Sequence, residues 1–224
     1  VYQLKYLESL TLRDNPNLDV DFDEIEKATA LEELILSNTA VKSLKGIGKA
    51  RSLQTLHLTD CNLDRDIPGE LFELTNLRGL FANYAGFTGQ IRTEIGYLRQ
   101  LTELYLYEND LTGTVPTEIG RLSGLKVLAL AQNAFEGPIP KELGNLENLE
   151  VLAIQREYGK EKGKGLSGPL PAFDNLKSLT EMYFENQNLS GDIPSNFLQS
   201  SPKGEMVKVD LMNNDISGEI PPSL

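Results

Sequence analysis

Along this chain large apolar residues return in the pattern LxxLxLxx, and polar residues fill the positions between them. Two adjacent segments show it most clearly, LTELYLYENDLTGTVPTEIGRLSG from Leu101 and LKVLALAQNAFEGPIPKELGNLEN from Leu125. Leu101, Leu104, Leu106 and Leu111 match Leu125, Leu128, Leu130 and Phe135, while Asn109, Gly113 and Pro116 match Asn133, Gly137 and Pro140. The same motif starts at Leu7, Leu31, Leu53, Leu77, Leu101, Leu125, Leu149, Leu179 and Met206, at intervals of 24, 22, 24, 24, 24, 24, 30 and 27 residues. A fixed period in the twenties with this pattern predicts a repeat solenoid. In LxL the side chains of a short strand alternate, so the leucines face inward and the residues between them face outward. No repeat can bury its own leucines, so neighbours stack and their strands join into one parallel sheet.

The position closing each strand reads Asn15, Thr39, Cys61, Ala85, Asn109, Asn133, Glu157, Gln187 and Asn214. An amide there offers donors and an acceptor to the buried backbone of two successive turns, so Asn15, Thr39, Cys61, Asn109, Asn133, Gln187 and Asn214 form a structural ladder. Cys61 is read as a small buried member of that ladder rather than as a nucleophile.

The second half of the repeat carries its own signature. It runs Leu111-Thr-Gly113-Thr-Val115-Pro116, Phe135-Glu-Gly137-Pro-Ile139-Pro140, Leu166-Ser-Gly168-Pro-Leu170-Pro171, Leu189-Ser-Gly191-Asp-Ile193-Pro194 and Ile216-Ser-Gly218-Glu-Ile220-Pro221. The glycine is expected in a backbone conformation closed to other residues. The proline, which lacks an N–H, is expected in a short strand on the flank. This LxGxIP segment resembles the plant-specific type of leucine-rich repeat found in receptor-like kinases, receptor-like proteins and polygalacturonase-inhibiting proteins. The resemblance implies an α/β repeat solenoid, a right-handed leucine-rich-repeat superhelix. Its concave face would be a parallel β-sheet of about nine strands, and its convex side 3-10 turns and short strands. Residues 1–224 read as one such domain. The first two repeats lack LxGxIP, Arg92 stands at a proline position, and the paired-cysteine caps of the family are absent, so an internal piece of a longer protein is expected.

Net charge of −12 disfavours nucleic acid and anionic membrane as partners. No apolar run is long enough to span a bilayer. One cysteine, one histidine and the lack of any nucleophile, metal or phosphate motif leave nothing for catalysis, and neither a cofactor nor a metal is expected.

The outward strand positions are more informative. Phe81, Tyr105 and Tyr107 project from adjacent strands spaced about 4.8 Å apart, with Tyr84 at a strand end, His57 on one side and Ala129 on the other. With Tyr183, these residues form the expected ligand-binding surface, since exposed aromatic patches mark interaction sites. A Gly- and Lys-rich insertion between Gln155 and Gly165 predicts a mobile rim loop presenting Lys160, Lys162 and Lys164. Asn188-Leu189-Ser190 is an N-glycosylation sequon.

The expected function is recognition without catalysis: the repeat domain of a receptor-like or secreted protein, outside the cell or at its surface. The partner is expected to be a protein or peptide, with a glycan as the other candidate. Two alternatives stand beside it, an intracellular (cytoplasmic) scaffold and a secreted inhibitor of a cell-wall-degrading enzyme.

Overall fold

Each LxL triplet becomes a strand only three residues long, because the chain must turn as soon as its leucines are inside. In the computed structural model, which describes residues 3–159, 162–202, 208–222 and 224, nine such strands pair in chain order into one sheet. They are Ser9–Thr11, Glu33–Ile35, Thr55–His57, Gly79–Phe81, Glu103–Tyr105, Val127–Ala129, Val151–Ala153, Glu181–Tyr183 and Lys208–Asp210. Every pairing is parallel, and the register matches the leucines exactly one repeat apart, as in Leu80↔Leu104 and Leu104↔Leu128. The repeat start expected at Met206 lies outside the described residues, but its strand falls at the anticipated offset.

Parallel strands joined by crossovers of this length wind right-handed, and the sheet lines the concave face of a leucine-rich-repeat superhelix. The opposite side carries six 3-10 helices among the described residues, from Ile25–Lys27 to Lys141–Asn145. Between the two faces runs a leucine spine: Leu34, Leu56, Leu80, Leu104, Leu128, Leu152 and Met182 are at most 1% exposed. Burying each such side chain contributes on the order of 1.5–3 kcal/mol, supplied by the repeats on either side.

A second parallel sheet of seven short strands runs along the flank from Arg65–Asp66 to Asp215–Ser217. It begins only at the third repeat, where Leu63-Asp-Arg65-Asp-Ile67-Pro68 has the spacing of LxGxIP with arginine at the glycine position. Gly89, Gly113, Gly137, Gly168, Gly191 and Gly218 all have φ between 67° and 83°, the left-handed region that side chains disfavour. The prolines act one step further on than the sequence reading placed them. Pro68, Pro116 and Pro140 are extended residues opening the next 3-10 helix, with φ from −70° to −62°. Arg92 takes the same conformation at φ −73°, which is why a non-proline is accepted there.

The ladder is built by the amides. Asn133 is 2% exposed. Its Nδ2 donates to the carbonyls of Leu106 and Leu130 at 2.8 and 3.0 Å, and its Oδ1 accepts from the Leu111 N–H at 3.0 Å. Asn109 repeats this with Ala82, Leu106 and the Phe87 N–H, and Asn214 with Phe184, Leu211 and the Leu189 N–H. Gln187 uses its longer arm to reach the Leu166 N–H and the Ile154 carbonyl. Thr39 and Cys61 both donate to the Leu36 carbonyl, and burial pushes the Cys61 thiol up from its ordinary range. Asn15 reaches only the carbonyls of its own turn and is exposed.

The insertion differs from expectation. Lys160 lies outside the described residues, but residues 162–165 are tied down. Arg156 is 7% exposed, its Nε donating to the Asn186 carbonyl at 2.6 Å and its Nη1 to the Lys162 and Gly163 carbonyls. Lys162 Nζ reaches the Asn109 carbonyl at 2.9 Å and Asp110 at 3.0 Å, two repeats back. Glycine and lysine read as a solvated loop, but here the lysine spans the turn of the sixth repeat and the buried arginine holds the loop's return.

Candidate functional site on the concave face

Outward positions of the concave sheet stack in register, so side chains one repeat apart meet face to face. His57 pairs with Phe81 and Phe81 with Tyr105 across neighbouring strands. The His57 and Phe81 rings lie 4.3 Å apart and 4° from parallel, the Phe81 and Tyr105 rings 5.2 Å apart at 16°. Tyr107 meets Tyr105 edge-on at 6.4 Å, and Tyr84 meets Tyr107 edge-on at 5.7 Å. Five of the predicted site residues are therefore one continuous array, each contact of a geometry worth roughly 0.5–1.5 kcal/mol beyond area burial for an aromatic pair.

Stacking changes what the array offers. His57, Phe81, Tyr105 and Tyr107 are half-buried rather than freely exposed, because each ring covers the face of the next. Only Tyr84, at 48%, is widely exposed. It occupies the left-handed position after its strand, φ 53°, where the corresponding residues of other repeats include Asp14, Asn38, Asp60 and Asn213. Asn and Asp tolerate that conformation better than a tyrosine does.

Gly79 is part of the site and escaped the sequence reading. A Cβ at Gly79 would lie 2.7 Å from Phe81 Cε2, so the bare backbone makes room for the ring to lie across its own strand. The signal was present: Gly79 interrupts a row of outward Glu and Thr residues at Glu33, Thr55 and Glu103.

Burial lowers the His57 pKa below 6.5, against the pull of Glu33 and Glu103, so the ring stacks in its neutral form near pH 7. Burial, then Glu103 and Tyr107, pushes the Tyr105 hydroxyl up. Next to His57 lies a polar hollow of about 470 Å3 lined by Arg13, Asp14, Ser37, Asn38, Thr59 and Asp60.

Other predicted site residues sit apart from the array. Ala129 is 8% exposed and stands in register between Tyr105 and Ala153, part of a low floor beside the array. Tyr183 is separated from Tyr105 by the strands of Ala129 and Ala153. Lys162 is committed to Asn109 and Asp110, and Lys164 lies 3.8 Å from Glu136. Asn188 is exposed at the start of a flank strand, with its Nδ2 donating to the Lys164 carbonyl. Among the described residues no helix is long and apolar enough to cross a membrane.

A parallel-sheet solenoid with leucine spine and asparagine ladder defines a leucine-rich-repeat protein. Residues 2–184 match the family described as leucine-rich repeat region, and the chain belongs to that family. No curated protein matches the sequence significantly. Among solved structures, the chain is similar to the ectodomain of the plant membrane receptor kinase GASSHO1/SCHENGEN3 from Arabidopsis thaliana, crystallised with CASPARIAN STRIP INTEGRITY FACTOR 2. Identity is 30% and TM-score 0.73, over 99% of this chain and 29% of that one. It is also similar to the plant peptide hormone receptor RGFR1 in complex with RGF2, at 25% identity and TM-score 0.56, over 100% of this chain and 42% of that one. A plant ice-binding protein matches at 25% identity and TM-score 0.74, over 98% and 68%. The chain thus spans less than half the length of these two receptors. This fold is typical of ligand-binding receptor ectodomains and generally serves as a non-enzymatic interaction scaffold, yet one fold carries several functions.

Proposed function

We propose that residues 1–224 act as one leucine-rich-repeat recognition domain of a receptor-like protein, non-enzymatic, outside the cell or at its surface. Its ligand is a peptide or protein segment bound on the concave face. The observation that carries this reading is the continuous array His57–Phe81–Tyr105–Tyr107–Tyr84, an aromatic ridge gathered on one part of the concave sheet. The strands beyond it bury their leucines equally well over Ala129 and Ala153. Glu103 and Glu108 border the ridge, so a ligand with basic residues around an apolar anchor fits it best. The receptor ectodomains to which the chain is similar support the reading, since two of them were solved with a peptide hormone or a named factor bound.

The test is a selection of random linear peptides on the immobilised chain, followed by affinity measurement on the enriched peptide. The double variant Phe81→Ala with Tyr105→Ala is expected to lose at least tenfold in affinity while keeping its circular-dichroism spectrum. An affinity within a factor of two of the parent would overturn the assignment.

A further inference from the structure

Beyond the array the concave sheet dips. At the central outward position the register runs Tyr105, Ala129, Ala153, Tyr183. Three strand steps of ~4.8 Å put the two tyrosines roughly 14 Å apart, wide enough for one extended chain over a floor of methyl groups. The Tyr183 wall is held in place: its hydroxyl donates to Glu181 at 2.8 Å, and Lys208 Nζ sits 4.5 Å from the ring centroid. Lys208 comes from the next strand outward, in register with Glu181, so it covers the face of Tyr183 that turns away from Ala153. No aromatic ring contacts the other face among the described residues.

Two residues along from Ala153 and Tyr183, just past the ends of their strands, stand Gln155 and Glu185. Gln155 Oε1 and Glu185 Oε2 are both buried, and neither receives a hydrogen bond among the described residues. Both are acceptors, and buried acceptors without donors are rare because the lost hydration is not replaced. Burial raises the Glu185 carboxyl's pKa; a hydrogen bond from its own backbone N–H lowers it, the charge of Asp210 and a side-chain hydrogen bond with it raise it, and Lys208 lowers it. Around this end Glu181, Glu185 and Asp210 lie about Lys208.

We propose that this trough is a guanidinium subsite: an arginine side chain of the bound peptide lies on the open face of Tyr183 and donates to Gln155 Oε1 and Glu185 Oε2. The guanidinium is flat, stacks on aromatic faces, carries five N–H donors and accepts nothing, which matches a pocket of acceptors beside a ring. An ammonium lacks the plane. A sugar hydroxyl brings an acceptor with every donor, and the two unpartnered oxygens at this end offer it no donor in return. The inference deepens the recognition reading and rests on the concave face being the binding face.

The experiment titrates N-acetyl-arginine-methylamide, with its lysine and citrulline counterparts, into the full chain labelled at alanine methyl groups. The arginine probe is expected to shift the Ala129 and Ala153 methyl signals. Citrulline, its neutral isostere, and the lysine probe should bind at least tenfold more weakly. Glu185→Gln should weaken the arginine probe about tenfold, and Tyr183→Leu should remove the ring-current part of the shift. Unmoved Ala129 and Ala153 signals, or equal binding of arginine and citrulline, overturn the subsite. The Phe81→Ala, Tyr105→Ala variant separates the two proposals. If it spares peptide affinity while the arginine probe still shifts Ala153, the aromatic anchor falls and the subsite stands.

Discussion

Replacing Asn133 by alanine tests the ladder where its bonds are best defined. The side chain is 2% exposed and makes three bonds of 2.8–3.0 Å, to the Leu106 and Leu130 carbonyls and from the Leu111 N–H, plus a longer one to the Ala131 carbonyl. Leu106 keeps a second donor, the Asn109 amide, so its carbonyl is not stranded. The Leu111 N–H and the Leu130 carbonyl lose the partner the asparagine supplied. Leaving a buried polar group unsatisfied costs about 1–3 kcal/mol, so the two together predict a loss of roughly 2–6 kcal/mol. Asn148→Ala is the control: that amide donates once, to the Ser123 carbonyl at 2.8 Å, on an exposed turn, and its loss should cost about 1 kcal/mol or less. Urea denaturation measures both. Native-state hydrogen exchange gives the sharper reading, because the Leu111 amide should lose protection while amides of the distant first repeats keep theirs. An unchanged Leu111 exchange rate together with a loss below 1 kcal/mol would refute the idea that the asparagines hold the turns.

Leu128→Ala opens a cavity between two repeats and should cost on the order of 2–5 kcal/mol, whereas Tyr105→Ala removes a half-buried ring and should cost less; thermal melts in the reverse order would contradict this phase of the strands. His57 is the single histidine, so its NMR titration is unambiguous and should give a midpoint below 6.5. Its folded pKa is depressed, so the associated stability is fully present above pH 6.5 and is lost as pH falls through the folded value; the variant His57→Gln should lack that acid-side decline.

The strands were legible because leucine spacing fixes which side of a three-residue strand faces in, and the core agrees from Leu31 to Met182. The flank sheet was legible in outline from LxGxIP, since only glycine takes its turn without strain. Membership of the aromatic array could be read from the alternation at Phe81, Tyr105 and Tyr107. Its geometry could not, because ring orientation depends on side-chain torsions and on the space at Gly79. The commitment of Lys162 escaped the sequence for a related reason. Composition marks lysine and glycine as solvated, but whether a long side chain finds a carbonyl two repeats away is a property of the folded surface.

That reach from Lys162 back to Asn109 has a mechanical consequence. In a solenoid each turn ordinarily holds only the next, so tension applied at the ends peels it like thread from a spool, one turn at a time. Here the seventh turn is stitched to the fifth over the top of the sixth, through Asn109 and Asp110. Load arriving at the seventh turn is therefore expected to be shared by all three, a prediction that force spectroscopy on the chain and on Lys162→Ala checks. The tethered middle turns include the strand of Tyr105 and the floor of Ala129 and Ala153, so the surface we propose for a ligand lies partly on a doubly fastened length of the coil.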